Sequence, residues 1–353
     1  MSERKSHQKQ AERSPWYAWK WFAAGLILVY LLVYMPTSLV IFTAGSAEPV
    51  KPMVEVANGG NQQEDGVFML TTVRRTNANL FLLAWNAFND DAEISKKEDS
   101  LAGRTEEEYM TEMVFSMSGS QSNAILAAYN YAKIPYSQQP QGVYVIRNID
   151  DVAKNEFVTN DRIANIDGTE IQGIADLKQA ISNRKAGDEL TVTVERNGEM
   201  VDTKATLVEF ASSAEPNKKQ VGFGTYYGQK VEIVPDDPQY KITFKESEIG
   251  GPSAGLMFTL ELLNQLTPGD LTKGQRIAGT GTIAEDGTVG NIGGVQHKVV
   301  AADREGAVLF LVPEGNYEEA KAKVDKMDTK MKLVSVKTLS DALAALEQLD
   351  EAQ

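Results

Sequence analysis

The 353-residue sequence contains no cysteine, which excludes disulfide bridges and thiolate metal sites. It has only two histidines, His7 and His297. A histidine-rich zinc site is therefore disfavoured, and a Ser-His-Asp triad would have to use His297. Neither H-E-x-x-H nor G-x-x-x-x-G-K-[ST] occurs, which disfavours a zinc metalloprotease and a nucleotide-binding loop. We therefore expect no metal, no nucleotide and no other cofactor.

Basic charge is also scarce. The chain has 49 acidic against 35 basic residues and a formal net charge of −14. An acidic body without a basic cluster disfavours nucleic acid as a partner. The simplest interpretation of the acidity is solubility.

One long apolar run stands out near the N-terminus. No residue from Trp21 to Thr43 is charged, and its length matches the roughly 20 residues that cross a bilayer. Tryptophans crowd its N-terminal side, and the preceding residues are net basic. These features predict a cytoplasmic tail over residues 1–20, one transmembrane helix over 21–43 and an extracytoplasmic body at the cell membrane. The alternative is a cleaved signal peptide ending near Gly45-Ser46-Ala47.

Beyond this run the sequence divides into segments of different character. Residues 44–66 are rich in Gly, Pro and Asn and are predicted to be a linker, followed by a strand over 66–73. Helical spacing runs over 105–134, with a predicted break at Ser118-Gly119-Ser120. From Lys241 onward, strands alternate with helices. This alternation is typical of an α/β or an α+β fold, and we expect the α+β arrangement.

Residues 141–211 form a recognisable unit. Strands are predicted over 142–146, 162–166 and 190–196, with a short helix at 174–181 and turns at Asp167-Gly168 and Asn197-Gly198. This order resembles a PDZ domain of the bacterial protease type, a small barrel with helices. The resemblance implies that an extended peptide binds along Gly142, Val143, Tyr144 and Val145. Asn160 stands where relatives often have glycine, and asparagine tolerates the left-handed backbone. A packing module without a ligand is the alternative.

Ser253 is a candidate nucleophile. It follows Gly250-Gly251-Pro252 and precedes a predicted helix, whose first N–H groups have no partner within the helix. Backbone groups of Gly250, Gly251 and Ser253 are therefore predicted to stabilise an oxyanion and to contact substrate. A serine needs an adjacent base to become a nucleophile. Taken alone, Ser253 is better explained as a plain helix N-cap than as a nucleophile.

Lys298 is the candidate base. It lies on the apolar stripe of Val295, Val299 and Ala302 in a predicted helix over 295–304. Burial disfavours an ammonium ion and lowers its pKa, as a lysine base requires. The alternative is a lysine that extends its amine to solvent at a helix edge. His297 is about 100° away around the helix and is expected to face elsewhere.

Together these segments resemble the proteolytic domain of the Lon family. The matching motifs are Gly251-Pro252-Ser253-Ala254-Gly255, Gly279-Thr280-Gly281 and Ile292-Gly293-Gly294-Val295-Gln296-His297-Lys298. The resemblance implies that Ser253 attacks, Lys298 acts as base and Thr280 hydrogen-bonds Lys298. Gly250 departs from an aspartate common in the family, and Thr282 from a glutamate.

The combination of anchor, PDZ unit and this domain resembles the PDZ-containing Lon-like proteases of Gram-positive bacteria. It implies that residues 67–138 and 220–350 form one protease domain into which the PDZ domain is inserted. The expected function is ATP-independent serine endopeptidase activity on exported peptides or unfolded proteins. A homo-oligomer is compatible with the sequence. The alternatives are a C-terminal processing-type Ser-Lys protease and an exported PDZ adaptor on an inactive protease scaffold.

Overall fold

A computed structural model of the chain describes residues 15–61, 65–211, 217–245 and 249–350. Most of the basic tail predicted at 1–20, including His7, lies outside the described residues. The chain divides into two compact units, residues 1–43 with 74–100 and residues 44–73 with 101–353.

Helices and strands have the following bounds. The helices are α1 (Pro15–Tyr34), α2 (Leu80–Asn86), α3 (Lys97–Leu101), α4 (Glu106–Ala132), α5 (Ile174–Ile181), α6 (Gly255–Leu266), α7 (Val295–Arg304), α8 (Tyr317–Val324) and α9 (Leu339–Glu347). The strands are β1 (Pro36–Pro49), β2 (Val54–Val56), β3 (Val67–Asn79), β4 (Glu93–Lys96), β5 (Tyr136–Asn148), β6 (Lys154–Asn155), β7 (Arg162–Ile166), β8 (Thr169–Glu170), β9 (Glu189–Arg196), β10 (Glu199–Thr206), β11 (Val208–Ala211), β12 (Lys219–Gly222), β13 (Thr225–Pro235), β14 (Ile242–Phe244), β15 (Arg276–Gly279), β16 (Thr282–Ile283), β17 (Val289–Gly290), β18 (Leu309–Pro313) and β19 (Lys332–Val336).

The membrane span predicted over residues 21–43 is wrong. Helix α1 ends at Tyr34, and the residues from Pro36 to Thr43 belong to β1. Proline has no amide hydrogen and disfavours a helical conformation in the residue before it, so the helix stops here. Among the residues that the structure describes, no helix has the length and mean hydropathy of a membrane span. Because the predicted membrane helix is wrong, the single-pass localisation at the cell membrane that was predicted from it is wrong as well.

The smaller unit contains α1, α2, β4 and the adjoining ends of β1 and β3. β1 pairs antiparallel with β4, with Leu39 opposite Lys96 and Phe42 opposite Glu93. Asn79 caps α2 by accepting a hydrogen bond from the Leu82 amide at 2.8 Å. Its side-chain amide also donates to the Val33 carbonyl at the end of α1, 2.7 Å away. This unit contributes none of the predicted catalytic or peptide-binding residues.

The predicted linker over 44–66 also differs from the structure. It contains the second half of β1 and all of β2, and its apolar side chains enter the core. Val50, Val54 and Val56 are all buried, and β2 pairs antiparallel with β14. Glycine and proline in this segment shape its turns, whereas the valines between them supply strand residues. Residues 62–64 lie outside the described part.

Parallel strands form the centre of the larger unit. β3, β15, β18 and β19 pair in the order β19-β18-β15-β3, each with its neighbour in parallel. Side chains alternate between the two faces of a strand. Phe68 and Leu70 accordingly pack with α6, and Met69 packs with α7. Helices therefore cover both faces of this sheet, and the fold is a mixed α/β fold rather than the α+β fold with a preceding membrane helix that we predicted.

A second sheet has the order β13-β5-β7-β9-β10-β6, with β8 paired to β7. β7 over Arg162–Ile166, β9 and α5 match the predicted bounds closely. β5 begins at Tyr136, before the predicted strand over 142–146, and the sequence did not predict β6, β8, β10 or β13. Both residues of the Asp167-Gly168 turn have positive φ, as do both of the Asn197-Gly198 turn. Asn160 adopts the predicted left-handed conformation, with φ 72°. The β13 strand lies outside the predicted boundary of this unit yet pairs antiparallel with β5.

Helix α4 is continuous, so the predicted break at 118–120 is wrong. Thr105 begins the helix with a capping box, and Lys133 ends it in a left-handed conformation. A glycine inside a helix costs about 1 kcal/mol relative to alanine. Burial of Met117, Ala124 and neighbouring side chains in the core offsets that cost.

Candidate active site

Ser253 lies in the loop before α6, and hydrogen bonds fix the backbone of this loop on two sides. On one side, the amide of Gly281 and the hydroxyl of Thr280 both donate to the Ser253 carbonyl oxygen, at 2.8 Å and 3.0 Å. On the other side, the Gly251 amide donates to the Met113 carbonyl of α4 at 2.8 Å. Ser120 Oγ, further along α4, donates to the Pro252 carbonyl at 2.9 Å. The backbone around the serine is therefore fixed before any substrate binds.

Glycine is required at two positions of this loop. Gly251 has φ +90°, in the left-handed region that favours glycine. At Gly255, the first residue of α6, an added Cβ would lie 2.8 Å from Ile283 Cγ2. These two residues let the chain turn sharply into α6 and lie close against the β16 strand.

Lys298 lies at the centre of α7 and points into the protein. Its stripe neighbours Val295, Val299 and Ala302 are each 0% exposed, and Lys298 itself is 3% exposed. Its Nζ lies 2.8 Å from Ser253 Oγ and 2.8 Å from the Thr71 carbonyl oxygen in β3. The structure therefore brings the two predicted catalytic side chains into direct contact.

Burial lowers the pKa of Lys298 from the ordinary 10.5 to about 8, because the ammonium ion loses its hydration. A neutral amine keeps two hydrogens and one lone pair. With one hydrogen donated to the Thr71 carbonyl, the lone pair can accept the Ser253 hydroxyl proton. This arrangement is that of a nucleophile and its general base.

Thr280 has a different partner from the one implied by the family resemblance. Its hydroxyl donates to the Ser253 carbonyl and not to Lys298. The Thr280 amide donates to the Leu311 carbonyl of β18 at 3.0 Å, which ties the turn to the parallel sheet. Thr280 therefore supports the backbone of the serine, while the contact with Lys298 comes from Thr71.

His297 is buried and precedes Lys298 in α7. It is 3% exposed, and its amide donates to the Gly294 carbonyl at 3.1 Å. The side chain at hydrogen-bond distance from Ser253 Oγ is that of Lys298. The arrangement favours the lysine over a histidine mechanism.

The three backbone amides predicted to stabilise an oxyanion, those of Gly250, Gly251 and Ser253, differ in whether they already have a partner. The Gly251 amide already donates to Met113, so it is removed from the predicted set. A Cβ on Gly250 would lie 2.9 Å from Met113 Cβ, so this glycine permits the close approach of α4. Gly250 and Ser253 remain the predicted backbone donors.

The predicted peptide-binding residues lie in β5. Val143 and Val145 are buried in the core of the second sheet, and Gly142 has φ +138°. One edge of this segment pairs with β7 and the other with β13. Both edges of the predicted peptide-binding strand are therefore occupied by the chain itself.

Three contacts at the site were not predicted from the sequence. Thr71 and Met113 act through backbone carbonyls, and every residue has one, so no side-chain pattern could reveal them. Ser120 carries a side-chain signal, but the sequence pattern places it in a predicted helix break. Among the described residues, no group of three or more His, Asp or Glu side chains could hold a metal ion.

Comparison with known families agrees with this geometry. Residues 116–207 match the PDZ domain family, and residues 244–348 match the Lon protease (S16) C-terminal proteolytic domain. The chain contains a PDZ domain and a Lon-type proteolytic domain. The Lon-type domain is that of a serine peptidase, and both Ser253 and Lys298 lie within it.

Curated relatives show the same similarity over a limited length. The Lon protease of Trichlorobacter lovleyi is 33% identical over 134 residues, which is 35% of this chain and 15% of that protein. The Lon protease of Fusobacterium nucleatum is 37% identical over 91 residues, or 26% of this chain and 12% of that protein. The chain thus spans about a seventh of the length of these relatives.

One solved structure is similar to part of this chain. The crystal structure of the PDZ domain of an SdrC-like protein from Listeria monocytogenes is 21% identical, covering 25% of this chain and 87% of that one, with a TM-score of 0.21.

Proposed function

We propose that this chain is an ATP-independent serine endopeptidase in which Ser253 is the nucleophile and Lys298 the general base. The observation that carries the proposal is the 2.8 Å separation of Lys298 Nζ and Ser253 Oγ, with the lysine buried. Solvent exposure would keep the amine protonated at neutral pH, whereas burial favours the neutral base.

The reaction proceeds through an acyl-enzyme. Ser253 Oγ attacks the substrate carbonyl as its proton moves to Lys298 Nζ, and the backbone donors of Gly250 and Ser253 stabilise the oxyanion. The ammonium of Lys298 then gives that proton to the leaving amine. A water molecule, deprotonated by Lys298, attacks the ester and regenerates the serine.

Independence from ATP is proposed from the sequence of this chain. It contains no G-x-x-x-x-G-K-[ST] loop that could cradle a nucleotide triphosphate. Without nucleotide-driven unfolding, the substrates we propose are peptides or protein segments that are already unstructured. Such a chain can present an extended backbone to the half-buried Ser253.

We also propose that the PDZ domain is inserted within the protease domain. β3 precedes the PDZ domain in the chain and β15 follows it, yet the two pair in parallel in one sheet, with Phe68 opposite Ile277. Lys298 contacts Thr71 of β3 and Ser253 of the later segment. Residues on both sides of the insertion therefore build one site.

The test uses the purified full chain and an unstructured fluorogenic peptide without nucleotide. We expect cleavage by the wild type, no gain on adding ATP, and covalent labelling of Ser253 by a fluorophosphonate. Ser253→Ala should remove both cleavage and labelling. Cleavage only with ATP would contradict ATP independence. A folded wild type that neither cleaves nor labels would favour the adaptor on an inactive scaffold.

A further inference from the structure

The peptide-binding edge of the PDZ domain is occupied by β13. Tyr227, Gly228, Gln229 and Lys230 lie opposite the four residues of β5 from Val145 back to Gly142, in antiparallel register. PDZ domains bind an extended peptide by adding it as a strand to such an edge. In this chain, β13 takes the place of that peptide.

Two side chains of β13 contact the domain as those of a ligand would. Tyr227 packs against the PDZ core that includes Val143 and Leu177, and burial raises the pKa of its hydroxyl. Gln229 Oε1 accepts a hydrogen bond from the Ile174 amide at 2.7 Å. Ile174 is the first residue of α5, so β13 is bound between β5 and the start of that helix.

The opposite side of β13 contacts α4. A Cβ added to Gly228 would lie 2.5 Å from Phe115 Cδ1, so the ring of Phe115 rests directly on this glycine. The Phe115 and Tyr144 rings are 5.4 Å apart, and Lys230 Nζ lies 4.7 Å from the Tyr144 ring centroid. Phe115 therefore contacts both strands of the occupied edge.

Helix α4 also reaches the nucleophile loop. Met113 is two residues before Phe115, and its carbonyl accepts the Gly251 hydrogen bond described above. Ser120, further along the helix, donates to the Pro252 carbonyl. One helix therefore carries both the contact to β13 and the two contacts that fix the backbone before Ser253.

We propose that β13 is the resident ligand of the PDZ edge and that α4 transmits its position to the nucleophile loop. The PDZ domain then positions Ser253 instead of capturing substrate by strand addition. Phe115 and Met113 are positioning residues. This inference deepens the proposed peptidase function and rests on it for its catalytic consequence.

Hydrogen exchange tests the coupling without needing catalysis. In the full-length Ser253→Ala background, Phe115→Leu should raise amide exchange in residues 249–253 by about fivefold or more, because the support from α4 loosens. Phe210→Leu is the matched control, since Phe210 is also half-buried and also packs on a glycine, Gly222, at 3.3 Å. Equal exchange at 249–253 in the two variants would overturn the coupling. Absence of peptidase activity in the wild type would instead overturn the proposed function alone.

A cysteine lock tests whether β13 stays in place. The natural chain has no cysteine, so Arg147→Cys with Tyr226→Cys, which are partners across β5 and β13, creates a single bridge. We expect the oxidised and reduced forms to cleave peptide at rates within about twofold. A labelled peptide copying Thr225–Pro235 should not bind either form at concentrations on the order of 100 µM. Saturable binding to the reduced form alone, or activity lost on oxidation and restored by reductant, would show that β13 leaves the edge and would overturn the proposal. Arg147→Cys alone is the control for oxidation.

Discussion

Thr280 donates its hydroxyl hydrogen to the carbonyl oxygen of Ser253 at 3.0 Å, and so supports the nucleophile through its backbone. The Gly281 amide donates to the same oxygen at 2.8 Å. Two donors from one turn therefore set the position of the serine, while Thr71 orients the lysine. The roles of holding the nucleophile and holding the base are thus divided between different residues.

Thr280→Val should separate these two roles. Loss of one neutral hydrogen bond costs about 1 kcal/mol, so kcat should fall roughly fivefold. The pH at which the rate reaches half its maximum should stay within about 0.3 units, because the hydroxyl does not contact Lys298. Thr280→Ser keeps the donor and should retain most of the activity. A large shift of the pH midpoint in Thr280→Val would contradict this assignment and restore a contact with the base.

The activity should rise with pH as Lys298 loses its proton. Because burial lowers the Lys298 pKa to about 8, kcat/KM should increase through that region and level off above it. Lys298→Arg should be inactive, since a guanidinium remains protonated at every working pH. Initial rates on a short peptide between about pH 6 and 10 provide the measurement. A rate that stays flat across this interval would argue against a titrating lysine base.

The same lysine should couple stability to pH. Its pKa is below the ordinary 10.5 in the folded state, so the unfolded chain binds more protons between about pH 8 and 10.5. The free energy of unfolding of the wild type should therefore rise across that window relative to Lys298→Met, by roughly 3 kcal/mol at most. Urea unfolding of both proteins at the two ends of the window checks the sign. A difference between the two proteins that falls with rising pH would mean that Lys298 is not destabilised as an ammonium ion.

The two dyad residues should act as one unit. Ser253→Ala and Lys298→Ala should each abolish cleavage, and the double variant should be no slower than either. The measurement is the residual cleavage rate of each single variant and of the double variant at the same substrate concentration. Substantial activity in Lys298→Ala would show that another group deprotonates the serine.

His297→Ala is the control for the histidine alternative. The side chain is buried, so its removal should cost about 1–3 kcal/mol of unfolding free energy. The kcat of the folded fraction should nevertheless stay within severalfold of the wild type, measured well below the melting temperature. Complete loss of kcat with an intact fold would require a histidine mechanism.

Sequence patterns alone determined the local structure and much of the site. The apolar stripe predicted α7 over 295–304 and the inward face of Lys298, because helical periodicity depends only on neighbouring residues. The Asp-Gly and Asn-Gly turns were equally local, since both need positive φ. The order of the glycine, serine and lysine motifs indicated a Lon-type domain, which the family comparison supports.

Only the tertiary structure decided which backbone groups and strands meet. The carbonyls of Thr71 and Met113 have no side-chain signature, so their contacts with Lys298 and Gly251 depend on how β3 and α4 pack. Strand partners far apart in sequence are chosen by the packing of whole sheets, so the pairing of β13 with β5 was not predicted. Tertiary structure also decided the conformation of the uncharged residues after Tyr34. They form strand β1 and not the predicted membrane helix. An apolar residue is buried equally well in a sheet or in a helix, and the pairing with other strands decides between them.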